Sequence, residues 1–198
     1  LLYIMGVEEV TEDKVKKIKR LKTKRQPYSL VEQAISHLDG YDLYEEQAIF
    51  DTALGLVLNW TNRLLFLKLL ESQLLAFNKG AFTKFLTISI IPDYDVLNDL
   101  FMKVLAVPVD HREDEFRETF KDVPYLNSSL FEKSAMEKKF FPISGIRLGS
   151  MEVMNQTAIK DNNGKRFKGS LSTLEYLFRF LDAFDFGIEK QGADRLLQ

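Results

Sequence analysis

The sequence predicts a mainly α-helical domain, bundle-like round one long central helix, with a small β-hairpin insertion. Three observations carry this. From Leu43 to Leu75 apolar residues keep helical spacing for longer than any strand runs. Start and stop residues punctuate the chain as helices require, with Asp42 and Asp93 at starts and Gly40, Gly80 and Pro108 at stops. From Ile143 to Gly169 the pattern changes to short β-like pieces round an Asn-Gly pair at 163 and 164. The expected organisation is a lead-in over residues 1–40 and a helical domain over 41–198, with the β-rich insertion at 143–169.

In the lead-in, Thr11, Glu12 and Asp13 resemble a helix start, with acids at the positive end of the helix dipole. Val15, Ile18 and Leu21 follow as a thin apolar stripe, and Pro27 ends the element. "SLVEQAISHLDG" predicts a short helix from Ser29 to Gly40. Asp42 opens the long segment, whose Leu43, Phe50, Leu54, Val57, Leu58, Leu64, Leu65, Leu69 and Leu75 fit one helix. A break near Gly55 or Asn59 is the alternative. Its middle is apolar on most faces, so it should be the buried central helix.

"AFTKFLTISII" is β-branched and aromatic, a short strand or an extended connector. "PDYDVLNDLFMKVLAV" predicts a helix with Asp93 as its cap. "DHREDEFRETF" is charged and compatible with helix. "ISGIRLG" and "MEVMNQTAI" predict short strands, "DNNGKRFKG" a turn, and Ser170 or Ser172 the cap of a last helix, "TLEYLFRFLDAFDF".

Composition narrows the chemistry. The 198 residues are 45% hydrophobic and 28% charged, with 16 Phe, which predicts an aromatic-rich core. The net charge of −2 leaves a polyanionic partner only to a local patch. The absence of cysteine removes thiolate catalysis, disulfides and cysteine zinc sites, and it fits a reducing cytoplasm. No uninterrupted apolar run reaches the roughly 18 residues a bilayer needs, so no membrane partner is expected. The chain opens at "LLYIM" and closes at "DRLLQ" inside a helical pattern, and it reads as a segment of a longer protein.

No catalytic constellation stands out. His37 and His111 are far apart and read as surface or helix-end residues. Asp93 with Asp95, or Glu113 with Asp114, offers carboxylate pairs for a divalent metal, but Asp93 and Asp95 sit where a helix start needs a cap. We therefore expect no catalytic residue and no metal site. The sharpest electrostatic feature is basic: eight of the twelve residues from Lys14 to Arg25 are Lys or Arg. Lys16, Lys17, Lys19, Arg20, Lys22, Lys24 and Arg25 are candidate contacts to a DNA backbone, which asks for cations along one path. The competing reading is a solvated face balanced by Glu8, Glu9, Glu12 and Asp13. Lys165, Arg166 and Lys168 form a second small patch at the expected hairpin tip.

Three stretches carry a resemblance. "TNRLLFLKLLESQLL" at 61–75 resembles the Asn-Arg-Leu-Leu-Phe-Leu helix that precedes the methyltransferase domain of type IIG restriction–modification enzymes. These are single chains joining a nuclease, a helical connector, an adenine-N6 methyltransferase and a target-recognition region. "VPYLNSSLFE" at 123–132 resembles that family's Pro-Tyr-Leu-Asn-Gly-Gly-Leu-Phe-Glu signature, and "LFRFLDAFDFG" at 177–187 its closing stretch. Coverage runs from Asp42 to Gly187. The resemblance implies a helical connector of a DNA methyltransferase/endonuclease, touching DNA through its backbone and flanked by nuclease and methyltransferase domains. The parent would use S-adenosylmethionine and Mg²⁺, with no cofactor bound by the connector itself. The Gly-rich cofactor loop and the Asn-Pro-Pro-Tyr tetrapeptide are absent from this sequence, and Ser128 and Ser129 stand in place of Gly-Gly. That replacement predicts a turn needing no positive φ at either place, or one that tolerates the strain. In "VPYLNSSLFE", Pro124 should fix the entry, Tyr125 and Leu126 anchor, Asn127 bond nearby backbone, and Leu130 and Phe131 re-enter the core, making a structural latch. Direct DNA contact through Asn127, Ser128 or Ser129 is the alternative. A helical protein–protein interaction scaffold without a nucleic-acid role is the competing reading of the whole chain.

Overall fold

A computed structural model describes residues 1–78, 82–184 and 186. They form seven α-helices and two antiparallel sheets of two strands each, so the chain is mainly α with small β elements.

The first turn of helix, α1 (Leu2–Met5), ends at Gly6 with φ 87°. A Cβ there would lie 2.4 Å from Ser29 Oγ, so glycine is required by both backbone and space. Next come strands β1 (Val7–Glu12) and β2 (Val15–Arg20), paired antiparallel with Glu8 opposite Lys19 and Val10 opposite Lys17. This corrects the expected helix at Thr11. Asp13 and Lys14 both take left-handed φ, 51° and 64°, and make the two-residue hairpin turn usually built from Asn-Gly. Val15 and Ile18 are 56% and 39% exposed, so they form no buried stripe. An acidic strand facing a basic one holds the register instead.

Helix α2 (Leu30–Leu38) buries Leu30, Val31, Ala34 and Leu38. Helix α3 (Glu46–Phe77) runs unbroken for 32 residues through Gly55 and Asn59, starting at Glu46 and not at Asp42. Its length and mean hydropathy of 1.2 would let it cross a bilayer. Its buried residues nevertheless include Arg63, Lys68 and Glu71, each paired inside the protein, which is the pattern of a core helix. Gly80, the expected stop, lies outside the described residues.

Residues 82–91 turn without forming a strand. Asp93 caps α4 (Tyr94–Asp99) by accepting from Val96 N–H at 2.8 Å. The chain continues into a π-helical stretch, Leu100–Leu105, that buries Leu100, Phe101, Val104 and Leu105. Helix α5 (Asp114–Thr119) follows, then a 3₁₀ turn at Ser129–Phe131 and α6 (Ala135–Lys139), opened by a Ser134/Glu137 capping box. The strand expected in "ISGIRLG" is a 3₁₀ turn, Ile143–Gly145, followed by irregular chain. Strand β3 (Ser150–Glu152) pairs with β4 (Ser170–Ser172), whose second strand falls beyond the expected 143–169. The arm between them folds back through one bridge, Lys160 to Arg166. Ser172 then caps α7 (Thr173–Asp182), accepting from Glu175 N–H at 3.1 Å.

One hydrophobic cluster holds these pieces. Ile4, Met5, Val7, Leu30, Val31, Ala34 and Leu38 from the lead-in belong to it together with Trp60, Phe101, Phe131, Leu174 and Leu177.

Candidate functional site

The basic run lies on the hairpin and the chain that leaves it, and its residues divide into two groups. Lys16 pairs with Glu9 at 2.9 Å, and Lys17 with Glu12 at 3.3 Å, where Lys19 also binds. The hydrogen bonds from Lys19 and Lys17 hold the Glu12 carboxyl below its ordinary range. Arg20 grips Glu32 with Nε and Nη2, at 2.7 and 2.6 Å, the forked geometry guanidinium favours. These four cations are largely neutralised. Lys22, Lys24 and Arg25 pair with no carboxylate among the described residues. Glu8 binds Lys22 through the main-chain N–H at 3.0 Å and leaves the ammonium out. Arg25 caps Leu21 C=O with Nε at 2.6 Å.

Lys17, Lys19, Arg20, Lys22 and Arg25 line one wall of a groove of about 710 Å³. Glu46, Gln47 and Phe50, from the first turns of α3, line the other. The N-terminal end of a long helix adds positive potential there. The groove is thus a channel in which two unpaired cations stand beside three screened ones.

The second patch is separate in the chain. Asp161 Oδ1 accepts from Asn163 and Lys165 N–H, both at 2.9 Å, and Gly164 takes φ 75°, closing the arm's tip. Lys165, Arg166 and Lys168 are all exposed on it.

The three stretches that carry the resemblance meet on α3. Arg63, within "TNRLLFLKLL", is fully buried. Its Nε donates to Leu130 C=O and its Nη2 to Glu132 C=O, both at 2.6 Å, so it holds the exit of "VPYLNSSLFE" by main-chain oxygens. It also meets Glu137 at 2.6 and 2.7 Å, and its guanidinium lies 5.3 Å from the Phe101 ring centre. Glu137 further accepts from Trp60 Nε1 at 3.0 Å, Asn59 Nδ2 at 3.1 Å and Ser134 N–H at 2.9 Å. Burial alone would raise the Glu137 carboxyl, but the Arg63 and Ser134 hydrogen bonds outweigh it and hold it below the ordinary range.

Arg112 holds the entry of the same stretch, donating from Nη1 to Val123 C=O at 2.9 Å. Between these grips Leu126 N–H bonds Leu105 C=O at 2.9 Å. Phe131 is buried, with its ring edge-on to Phe66 and tilted against Phe101. Pro124, Leu126 and Leu130 are half-buried. Tyr125 is 38% exposed and is no deep anchor. Asn127 is exposed, and the backbone bond expected of it is made by Ser128, whose hydroxyl accepts from Leu130 N–H at 3.3 Å. Ser128 has φ −140°, so the turn needs no glycine.

The third stretch joins through Lys68, which binds Glu71 at 2.7 Å and Asp182 at the end of α7. Burial would lower the Lys68 ammonium, but the bonds from Asp182 and Glu71 raise it overall. The other oxygen of Glu71 accepts from Phe85 and Leu86 N–H at 2.7 and 2.8 Å. Arg63, Arg112, Lys68, Glu71 and Glu137 were not among the sequence candidates. For Arg63, Lys68 and Glu71 the signal available was charge embedded in a run of leucines; Arg112 and Glu137 sit among other charges and carried none.

Among the described residues no three His, Asp or Glu side chains converge as a metal site. His37 packs on Phe141, ring centres 4.0 Å apart, and Asp93 serves as a cap.

Comparison with known proteins places the chain. Residues 1–195 match the family described as a domain of unknown function (DUF7814), and the chain belongs to that family. No curated protein and no solved structure matches it.

Proposed function

We propose that this domain is the helical connector of a type IIG restriction–modification DNA methyltransferase/endonuclease, working in the cytoplasm. It holds the flanking nuclease and methyltransferase domains in place through a bundle-like helical frame and adds non-specific contacts to the DNA backbone. The parent would use S-adenosylmethionine and Mg²⁺ in those flanking domains. One observation carries the reading. The three stretches that resemble the family, 61–75, 123–132 and 177–187, are tied together by buried Arg63, which donates to the carbonyls of Leu130 and Glu132, and by the Lys68–Asp182 ion pair. Residues set apart in sequence thus serve a single internal frame. The backbone-contact part rests on the groove and its unpaired Lys22 and Arg25, with Lys24 beside them.

Duplex-DNA binding by fluorescence anisotropy at 50 and 200 mM salt tests this. If Lys22, Lys24 and Arg25 each neutralise one phosphate, fourfold more salt weakens binding roughly forty-fold. The variant K22Q/K24Q/R25Q should lose most of that dependence. Salt-insensitive binding, or none at 50 mM, would remove contact with the duplex backbone from the reading.

A second reading has an observation of its own. Leu58, Phe66, Leu69 and Phe77 are exposed along one stripe of α3, as a protein-interaction scaffold would present them. A partner bound there would hold equally well at both salt concentrations.

A further inference from the structure

The chain from Leu21 to Gln26 divides its side chains between two hollows. Lys22 and Arg25 line the basic groove. Leu21, Thr23, Lys24 and Gln26 line a second hollow of about 690 Å³, completed by Tyr3 and residues 152–156 of the arm.

The second hollow differs in chemistry. Its walls include Tyr3, Val153, Met154, three uncharged amides, Gln26, Asn155 and Gln156, and one charge of each sign, Lys24 and Glu152. Tyr3 is fixed in place: its hydroxyl donates to Glu152 C=O at 3.1 Å, and Tyr176 stands edge-on behind it, ring centres 6.4 Å apart. Gln26 Oε1 accepts from Glu152 N–H at 3.4 Å, which turns its NH₂ group away from that bond and leaves it free to donate. Asn155 and Gln156 are exposed, each with a donor and an acceptor to offer.

An unstacked nucleobase needs these elements together: a rigid π surface, an apolar rim, and amides that match mixed donors and acceptors on its edge. It also needs cations nearby for the phosphates: Lys24 lines this hollow, and Lys22 and Arg25, on the same short stretch of chain, line the basic groove. A duplex keeps its bases stacked and cannot fill the second hollow. We infer that this hollow takes an unstacked nucleobase, so that the domain binds single-stranded or locally opened DNA in preference to intact duplex. The inference rests on the DNA reading above and names the form of DNA bound.

The test is anisotropy with the whole chain and three probes of equal length: a single strand, the duplex, and a single strand carrying abasic sites. The single strand should bind at least about five-fold more tightly than either of the others, the lower end of what stacking one base contributes. N155A/Q156A changes two exposed residues and should leave the fold intact. It should bring single-strand binding down toward the abasic level and leave duplex binding unchanged. Equal affinity for all three probes, lost only in K22Q/K24Q/R25Q, would overturn the base pocket and keep backbone contact. Failure of every probe to bind would overturn both.

Discussion

Replacing Arg63 by Met should be the most damaging single change in the frame. The guanidinium and the Glu137 carboxylate are both shielded from solvent, with side-chain exposures of 1% and 0%. Without Arg63, Glu137 keeps its bonds from Trp60, Asn59 and Ser134 but loses the one counter-charge it has among the described residues, and the carbonyls of Leu130 and Glu132 lose their donor. Breaking a buried pair from one side costs about 3–5 kcal/mol, since the remaining charge is left uncompensated. For a domain of this size that is a fall in Tm of roughly 6–20 °C. Urea denaturation followed by tryptophan fluorescence suits the test, because the single Trp is Trp60, fully buried and hydrogen-bonded to Glu137. In R63M/E137Q the charge imbalance disappears, so the double variant should cost less than the sum of its parts, by about 1–3 kcal/mol. A loss under about 1 kcal/mol in R63M, with unchanged Trp60 emission, would refute the claim that the pair organises this region.

Other outcomes follow from the same contacts. Because the folded-state Glu137 carboxyl titrates below its ordinary value, its contribution is complete above about pH 4.3 and is lost as pH falls through the lowered value. The stability advantage over E137Q should therefore shrink on acidification, as equilibrium denaturation at stepped pH would show. Lys68 is shifted upward, so its contribution is present below the ordinary lysine value and is lost as pH rises past it. K68M should cost about 3 kcal/mol near neutral pH, with the gap to wild type narrowing above about pH 10.4 in alkaline denaturation. Gly149 has no room for a methyl group: a Cβ would sit 1.9 Å from the Tyr28 ring. G149A should cost about 1–3 kcal/mol in thermal melts. At Gly55 the nearest atom is the end of the flexible Met136 side chain, at 2.8 Å. G55A should be neutral or gain up to about 1 kcal/mol from helix propensity.

Much of the helical frame was legible because local chemistry specifies it. Asp93 and Ser172 are caps by residue type and position, and the α3 periodicity is long enough to survive Gly55. The N-terminal hairpin was misread for a physical reason. Val15, Ile18 and Leu21 repeat every three residues and imitate a helix stripe, and the Asp13-Lys14 turn lacks the glycine that marks such turns. What favours the strands is diagonal cross-strand attraction of Glu9 to Lys16 and of Glu12 to Lys17 and Lys19, a relation between two segments. The same holds for the buried pairs. Arg63 and Glu137 are 74 residues apart, and Lys68 and Asp182 are 114 apart, so no window of local sequence contains both partners. The basic run was visible as composition, but which of its cations stay unpaired depends on where Glu12 and Glu32 fall in space.

The grip on "VPYLNSSLFE" has a consequence for how this loop can change. Arg63 and Arg112 hold it by carbonyl oxygens, which every amino acid supplies. The side chains at Tyr125, Asn127 and Ser129 point to solvent and take no part in the hold. The loop therefore works as a mount with an interchangeable tip: residues at those places can be exchanged freely, while the arginines beneath cannot, since lysine lacks the fork that reaches two oxygens at once. Ser128 differs from these tips, because its hydroxyl accepts from Leu130 N–H and helps to seat the turn.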